Sequence, residues 1–282
     1  MAGVRVVTDS ACDLSDDLAR PLGITVVPLT IRFGDDELVD RRDLTAAQFW
    51  ERCKSSPRLP ETAAPSAGAF QRAFEGAAAD GADAVVCLTL SSGVSATYQA
   101  ALAGAQAAGG GLSIEVVDTR SLTMGQGLLC MAAAELARAG EPLAAIVAAV
   151  HDLIGRTRVL GIVGALDHLE RGGRIGGAAA LVGSLLSIKP VIEVRDGVVE
   201  QESKQRTRRR ALDYLIAKVE ADAPLERLAI CNGAASDIGE VVERLGSIEV
   251  EHELVVTDLG PVVGTHSGPE SIGVCYVVAA RP

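Results

Sequence analysis

The stretch AVVCLTLSSGVSATYQAAL (residues 84–102) joins an apolar run directly to an alanine-rich helical pattern. The run at 84–90 lacks polar alternation, which is typical of a parallel strand buried on both faces. Other apolar runs predict strands at 4–8, 24–33 and 112–118. Helical patterns lie between or after the runs, at 45–54, 67–79, 94–108, 121–139 and 143–155. This alternation predicts an α/β fold with a mostly parallel sheet flanked by helices.

The pattern changes after residue 157. The next elements are a strand at 159–166, a glycine-rich basic turn at 170–177, a helix at 178–187 and a hairpin over 188–204. The Asp196-Gly197 pair at the centre of the hairpin is a strong turn signal. The remaining patterns predict a basic helix at 206–220, a strand at 227–231, a helix at 236–245 and strands at 248–257 and 272–279. We therefore predict an N-terminal α/β domain, 1–157, and a C-terminal mixed α/β domain, 158–282.

Composition excludes several classes of protein. The 282 residues carry a net charge of −11, which argues against broad binding to nucleic acid phosphates. There is neither an 18-residue apolar stretch nor a secretory signal pattern, so we expect a cytoplasmic protein without a transmembrane segment. The six cysteines are scattered and the four histidines lack metal spacing. Reduced thiols, no metal and no cofactor are therefore expected.

The serines after the apolar run at 84–90 allow three interpretations. Ser92 is a candidate helix cap, which needs no function. A nucleophilic serine is disfavoured, because SSGVS cannot be aligned with the G-x-S-x-G elbow. An anion-binding site agrees better with the position, since ligands of parallel sheets bind where strands lead into helices. First-turn amides and serine hydroxyls both favour a negative charge there.

Two further segments carry candidate ligand contacts. Thr62 and Ser66 precede a predicted amphipathic helix, where capping is again the simpler interpretation. His266 lies between two hydroxyl residues in GPVVGTHSGPES (260–271), which predicts a rigid glycine- and proline-rich loop. A histidine fixed in such a loop is a candidate for ligand contact. No ATP or dinucleotide fingerprint is present.

Several motifs, in order along the chain, resemble those of the DegV family of fatty-acid-binding proteins. They are VTDSACDLS (7–15), TAAPS (62–66), LSSGVSATYQAA (90–101), VVDTRSLTMGQG (116–127), LERGGRIGG (169–177), SIKPVIEVRDG (187–197), RTRRRAL (206–212) and GPVVGTHSGP (260–269). The resemblance implies a two-domain DegV-type fold with an acyl-binding cleft between the domains. It also implies a carrier without enzymatic activity, whose ligand is a long-chain fatty acid such as palmitate.

The resemblance assigns roles to individual residues. Thr62 and Ser95 correspond to the family's carboxylate ligands, and Ser92 of the same motif is a further candidate. His266 corresponds to a histidine near the head group that assists phosphoryl transfer. Arg206 corresponds to an arginine that acts with an ATP-binding kinase subunit in phospholipid metabolism. In the run KQRTRRR, helical spacing places Arg206, Arg209 and Arg210 on one face and Arg208 on another.

The chain departs from the family pattern at four positions. Ala63 and Ala64 replace a serine and a glutamine, which puts an accessory head-group contact in doubt. Ala96 and Glu270 each replace a glycine. The carboxylate of Glu270 is expected either to repel a bound carboxylate or to face solvent.

Enzymatic alternatives remain open from the sequence alone. One is an enzyme related to dihydroxyacetone kinase, in which His266 would trap a carbonyl substrate. The other is a hydrolase that uses Ser95 with His266.

Overall fold

The computed structural model describes residues 3–109, 111–164, 166–181 and 188–280. The strands in these residues are β1 (Val4–Asp9), β2 (Thr25–Val27), β3 (Thr30–Phe33), β4 (Asp36–Val39), β5 (Glu61–Ala63), β6 (Ala84–Thr89), β7 (Ser113–Asp118), β8 (Thr157–Ile162), β9 (Lys189–Arg195), β10 (Val198–Gln205), β11 (Leu225–Gly233), β12 (Val255–Asp258) and β13 (Ser271–Val278).

The α-helices in the same residues are α1 (Asp16–Ala19), α2 (Ala46–Ser55), α3 (Ala67–Ala79), α4 (Thr97–Ala107), α5 (Met124–Arg138), α6 (Leu143–Arg156), α7 (Asp167–Arg171), α8 (Arg208–Ala221), α9 (Ile238–Leu245) and α10 (Pro261–Ser267). Short 3₁₀ turns follow β1 and precede residue 182, at Ser10–Cys12 and Gly176–Leu181. Among the described helices, none combines the length and apolarity needed to cross a membrane.

The predicted parallel sheet is confirmed. Its strand order is β2-β1-β6-β7, and every neighbouring pair is parallel. β6 is buried at every position because helices cover both sheet faces. Val85 and Cys87 pack with Phe70 and Phe74 of α3, whereas alternate β6 residues join a separate apolar cluster with α5 and α6.

The predicted strand at 24–33 is wrong as a single element. The chain forms β2, leaves the sheet at Pro28, and then forms β3 in a small antiparallel sheet of order β4-β3-β5. Pro28 has no amide hydrogen to continue a strand ladder. The next amide, that of Leu29, donates to Ser10 Oγ at 3.0 Å instead of to a strand. Neither β4 nor β5 was predicted.

The second half forms a six-stranded mixed sheet of order β10-β9-β8-β13-β11-β12. The predicted hairpin is confirmed, with Asp196 and Gly197 at φ 52° and 85° between antiparallel β9 and β10. The predicted strand at 248–257 is reduced to β12 and a single bridge at Val250. The predicted helix at 178–187 is a 3₁₀ turn up to Leu181, and residues 182–187 lie outside the described residues.

Helix α5 connects the parallel and mixed sheets. It packs against β1 and β6 on one side and against β11 and β13 on the other. One continuous apolar core therefore contains Val6 and Val86 from the parallel sheet together with Ala229 and Cys275 from the mixed sheet. The mixed sheet begins at Thr157, but the division into domains 1–157 and 158–282 stays a prediction.

All six cysteines are free thiols, as the sequence predicts, and five of them are buried: Cys12, Cys87, Cys130, Cys231 and Cys275. Cys53 is half-buried.

Candidate functional site

A cavity of about 880 Å³, counted with its opening to solvent, lies between β5, the segment after β6, α10 and the mixed sheet. Most of its lining is apolar and comes from Leu29, Leu90, Val94, Leu122, Val159, Val163, Leu169, Ile192, Val194, Val199, Leu259, Val262 and Val263. Thr62, Ser95, His266 and Arg174 also line it. A largely apolar cavity with a few polar side chains suits an elongated amphipathic ligand.

Thr62 lies on β5, where it is paired with Ile31 of β3. Its Oγ1 is 2.9 Å from His266 Nε2, within hydrogen-bond distance. The interpretation of Thr62 as a residue at a helix start is wrong. Ser66 starts the helix instead, because its Oγ accepts a hydrogen bond from the amide of Ala69 at 3.2 Å.

His266 lies in α10 rather than in the predicted loop. Pro261 occupies the first turn of this helix, and Gly268, at φ 75°, follows its last residue. The imidazole fits because Gly172 has no side chain: a Cβ there would lie 2.3 Å from His266 Nδ1. Nδ1 is buried and has no hydrogen-bond partner among the described residues.

Burial lowers the pKa of His266 to about 4, and the positive charge of Arg174 and the neighbouring His168 act in the same direction. The imidazole is therefore neutral near pH 7 in the ligand-free protein. A neutral imidazole has one N–H donor and one acceptor nitrogen. If Nε2 carries the proton, it donates to Thr62 Oγ1, and the Thr62 hydroxyl keeps its own proton for a ligand.

Ser95 is placed just before α4. Its Oγ accepts a hydrogen bond from the amide of Thr97 at 3.3 Å and lies 2.9 Å from Thr97 Oγ1. If the Thr97 hydroxyl donates, both contacts fill acceptor positions of Ser95 and leave its proton available to the cavity. Thr62 and Ser95 thus have the same arrangement: each lines the apolar cavity, and each hydroxyl oxygen lies within hydrogen-bond distance of a neighbouring side chain.

The other two serines of this segment have different partners. Ser91 Oγ donates to the carbonyl of Gly197 at 2.6 Å and so ties the segment to the β9–β10 turn. Ser92 is exposed, its hydroxyl donates to the carboxylate of Asp118, and it does not line the cavity. The expectation that Ser92 contacts the ligand does not agree with this geometry.

Arg206 is exposed, precedes α8 and does not line the cavity. The predicted helix at 206–220 begins instead at Arg208. Thr207 caps it, because its Oγ1 accepts a hydrogen bond from the amide of Arg210. Arg208 forms two hydrogen bonds to Asp237, both 2.7 Å, and donates to the carbonyl of Glu270 at 2.6 Å. Arg206 therefore does not share a helix face with Arg209 and Arg210.

Sequence reasoning missed Arg174 as a site residue. Its Nε donates to the carbonyl of Val94 at 3.0 Å and its Nη1 to that of Gly172 at 2.6 Å. It makes no salt bridge with any carboxylate in the described part of the chain. The basic turn at 170–177 was the available signal, but the sequence did not show that its arginine lines the cavity.

Sequence reasoning also missed the buried carboxyl groups of Asp9 and Asp13. Asp9 accepts hydrogen bonds from the amide of Leu90 at 2.8 Å, from the amide of Ala11 at 3.0 Å and from Gln126 Nε2 at 3.1 Å. Burial raises the pKa of Asp9 to about 6 against these hydrogen bonds. Through Leu90, Asp9 fixes the start of the segment that carries Ser95.

Asp13 acts in the same way on α10. It accepts hydrogen bonds from Thr123 Oγ1 at 2.6 Å and from the amide of Gly260 at 3.1 Å. Gly260 immediately precedes α10, which carries His266. The motif VTDSACDLS therefore positions both the segment of Ser95 and the helix of His266.

The departures from the family pattern lie away from the cavity. Ala63 and Ala64 are exposed and do not line it. The carboxylate of Glu270 accepts hydrogen bonds from the amide and hydroxyl of Ser236, both 3.1 Å, and Glu270 is exposed. The structure therefore agrees with the expectation that the carboxylate of Glu270 faces solvent.

The contacts do not form a Ser–His catalytic pair. His266 is hydrogen-bonded to Thr62 and Ser95 to Thr97, and no hydrogen bond joins Ser95 to His266. The Ser95/His266 hydrolase therefore lacks the nucleophile–base contact that such chemistry requires.

Comparison with known proteins agrees with this architecture. The sequence matches the family described as "Uncharacterised protein, DegV family" over residues 3–279. A DegV domain-containing protein of Halalkalibacterium halodurans is 33% identical over 285 residues, which cover 99% of each chain.

Solved structures give the same result. A fatty-acid-binding DegV family protein from Thermus thermophilus superposes with a TM-score of 0.90 and 30% identity, over 98% of this chain and all of that one. A stearic-acid-binding protein from Eubacterium ventriosum has a TM-score of 0.89 and 26% identity, over 99% and 98% of the two chains. The chain therefore belongs to the DegV family.

Proposed function

We propose that this protein binds a long-chain fatty acid in the cavity, with the carboxylate at Thr62 and Ser95 and the tail along the apolar lining. The observation that carries the proposal is the set of cavity-facing hydroxyls on Thr62 and Ser95, together with His266 and the positive charge of Arg174. The fatty-acid-binding relatives from Thermus thermophilus and Eubacterium ventriosum support it.

The two ends of the ligand contribute differently to binding. Each buried methylene contributes ~0.8 kcal/mol, so the gain grows with the length of the tail. Each hydrogen bond to the charged head contributes about 1.5–3 kcal/mol before the cost of removing the carboxylate from water. The tail therefore supplies most of the affinity, whereas the hydroxyls and Arg174 set the orientation.

Removing the head-group hydroxyls should weaken binding. We expect Thr62→Ala and Ser95→Ala each to cost about 1–2 kcal/mol of fatty acid affinity, since each removes one donor to the carboxylate. The double variant should be non-additive, because both residues contact the same group. Titration of delipidated protein with a fluorescent fatty acid measures all three affinities.

Ser92→Ala is the matched comparison, because it removes a hydroxyl from the same segment that faces Asp118 instead of the cavity. It should bind with wild-type affinity. A double Thr62/Ser95 variant that keeps wild-type affinity would show that the carboxylate binds elsewhere.

The protonation of His266 should report the ligand. In delipidated protein its pKa lies near 4 instead of 6.5, so its NMR ring signals should show a neutral imidazole down to about pH 4. A fatty acid should raise this pKa, because a carboxylate nearby stabilises the imidazolium. The signal is assigned by its loss in His266→Gln. A midpoint near 6.5 without ligand would contradict the buried, neutral state.

The same shift makes stability depend on pH. Because the pKa of His266 is lowered in the folded state, the unfolded chain takes up a proton on this residue below about pH 6.5. The folded chain takes it up only at about pH 4. His266 therefore removes stability as pH falls through this window, by up to ~3 kcal/mol. A bound fatty acid should reduce that loss.

We further propose that the protein presents its fatty acid to an ATP-binding kinase subunit for acyl-phosphate formation. The basic run supports this proposal by its exposure: Lys204, Arg206, Arg209 and Arg210 are exposed and make no salt bridge in the described part of this acidic chain. Arg208 is excluded from the surface role because it is paired with Asp237. Unpaired surface charges of this type mainly govern the rate of association with a partner.

Arg209→Glu should slow engagement of the kinase and weaken its salt dependence, with fatty acid binding unchanged. Arg206→Ala should lower acyl-phosphate formation even at saturating kinase. His266→Ala should keep bound fatty acid but lose phosphorylation, because the imidazole no longer orients the Thr62 hydroxyl that stabilises charge at the reacting carboxyl group. Acyl-phosphate formation at varied kinase concentration measures all three effects.

Arg138→Glu is the control for charge reversal, since Arg138 is exposed at the end of α5 and makes no salt bridge to the described residues. If curves for Arg209→Glu and Arg206→Ala overlay the Arg138→Glu and wild-type curves, the basic run is only a solvated surface.

A further inference from the structure

Two glycines on neighbouring strands of the mixed sheet lie side by side at the bottom of the cavity. Gly161 of β8 is paired with Gly273 of β13, and both line the cavity. Ile192 of β9 is paired with Gly161 on the other side. Because neither glycine has a side chain, the sheet surface is low at this row and leaves space for a ligand above it.

The next row along the same face is formed by larger side chains. Val159 lies two residues from Gly161, so both point to the same face of β8. It is paired with Cys275 of β13, and the register of β8 with β9 places Val194 on its other side. Val159 packs closely on α5, since a Cβ on Gly125 would lie 2.4 Å from Val159 Cγ2.

This valine row lies at the end of the cavity away from the head-group residues. Ser271, at the start of β13, donates to the carbonyl of Ser267, next to His266. From there β13 runs past Gly273 to Cys275. A ligand with its carboxylate near His266 would therefore cross the glycine row before its tail reached Val159 and Val194. Neighbouring rows on one face of a sheet are two residues apart, so the valine row lies about 7 Å beyond the glycine row.

A second, more polar cavity lies beyond the valine row. It shares Val159, Glu193 and Val194 with the first cavity, but Thr62, Ser95 and His266 do not line it. Its other lining residues include three arginines and several hydroxyl residues: Arg120, Arg158, Arg195, Thr119, Ser121 and Thr157. The buried Ser121 Oγ has no hydrogen-bond partner among the described residues.

Of the three shared residues, Val159 and Val194 provide the apolar barrier. Glu193 alternates with Val194 along β9, and its carboxylate is paired with Arg195. Methylenes that passed the barrier would leave apolar surroundings for polar ones and would gain little from burial.

We propose that Val159 and Val194 form the end wall of the acyl site and so determine the longest fatty acid that binds with full affinity. This proposal rests on the proposed function, because it concerns the tail of the same ligand. Gly161 and Gly273 leave space for the tail, and Val159 and Val194 close that space at its far end.

The test measures dissociation constants of straight-chain saturated fatty acids of increasing length on delipidated protein. For the wild type, the constant should fall about fourfold for each added methylene, the ratio that corresponds to ~0.8 kcal/mol, until a limiting length is reached. Val159→Ala and Val194→Ala should each move that limit to a longer acid, with about fourfold tighter binding for each methylene that fills the apolar space vacated by the valine methyl groups.

Gly161→Val should move the limit in the opposite direction, because it fills the glycine row. The backbone there does not require glycine, and a Cβ would meet only Ile192, at 3.4 Å and beyond, and the carbonyl of Ile272 at 3.7 Å. Val263→Ala is the control, since Val263 lines the first cavity but not the valine row. It should weaken every acid and leave the limit in place.

The outcomes separate the two proposals. If no fatty acid binds the wild type, the proposed function fails and the wall fails with it. If the acids bind but the limit is the same in the wild type and in the Val159, Val194 and Gly161 variants, the function stands and the wall is overturned. A Val263→Ala variant that shifts the limit as Val159→Ala does would also overturn it.

Discussion

The arrangement of the site depends on the buried carboxyl group of Asp9 at the end of the first strand. It accepts hydrogen bonds from two backbone amides and from Gln126 of α5, and so joins β1, the segment after β6 and the helix between the sheets. Removing this acceptor would leave the buried amides of Ala11 and Leu90 without a partner, at ~1–3 kcal/mol each. Asp13, four residues later, extends the same control to α10 through the amide of Gly260. One short motif thus positions residues that are distant in sequence around a single cavity.

Four polar residues of the cavity lie close together, because His266 is hydrogen-bonded to Thr62 and Arg174 is hydrogen-bonded to the carbonyl of Val94, next to Ser95. Thr62, Ser95, His266 and Arg174 line the cavity together with many aliphatic side chains, and the imidazole is held neutral by burial. A neutral imidazole beside hydroxyl donors receives a carboxylate without first losing a counter-ion of its own. The nearest fixed positive charge is Arg174, whose guanidinium is held by carbonyl groups and by no acidic side chain within the described ranges. In the proposed complex, orientation and affinity would therefore arise from different parts of the fatty acid.

Local patterns predicted the parallel sheet, most helices and the Asp196-Gly197 hairpin, because burial on both faces and turn chemistry leave clear signals. They failed where tertiary contacts decide the structure. Pro28 splits an apolar run between two sheets, and Thr62 lies on a short strand that pairs with β3 and contacts α10. The segment of His266 reads as a loop because glycine and proline dominate it, yet it forms a helix that Asp13 holds at its start. The approach of Arg174 to the cavity, and the hydrogen bond from Ser92 to Asp118, depend on long-range packing that no local pattern records.

The central claim is that the cavity holds an intact fatty acid without covalent chemistry. Protein purified under native conditions from cells supplied with long-chain fatty acids can be denatured, extracted with organic solvent and analysed by mass spectrometry, for both the extract and the protein. We predict a stoichiometric amount of free long-chain fatty acid in the extract and an unmodified protein mass. A protein that carries no extractable fatty acid, and instead shows a covalent adduct or turns over esters, would contradict the claim and favour an enzyme.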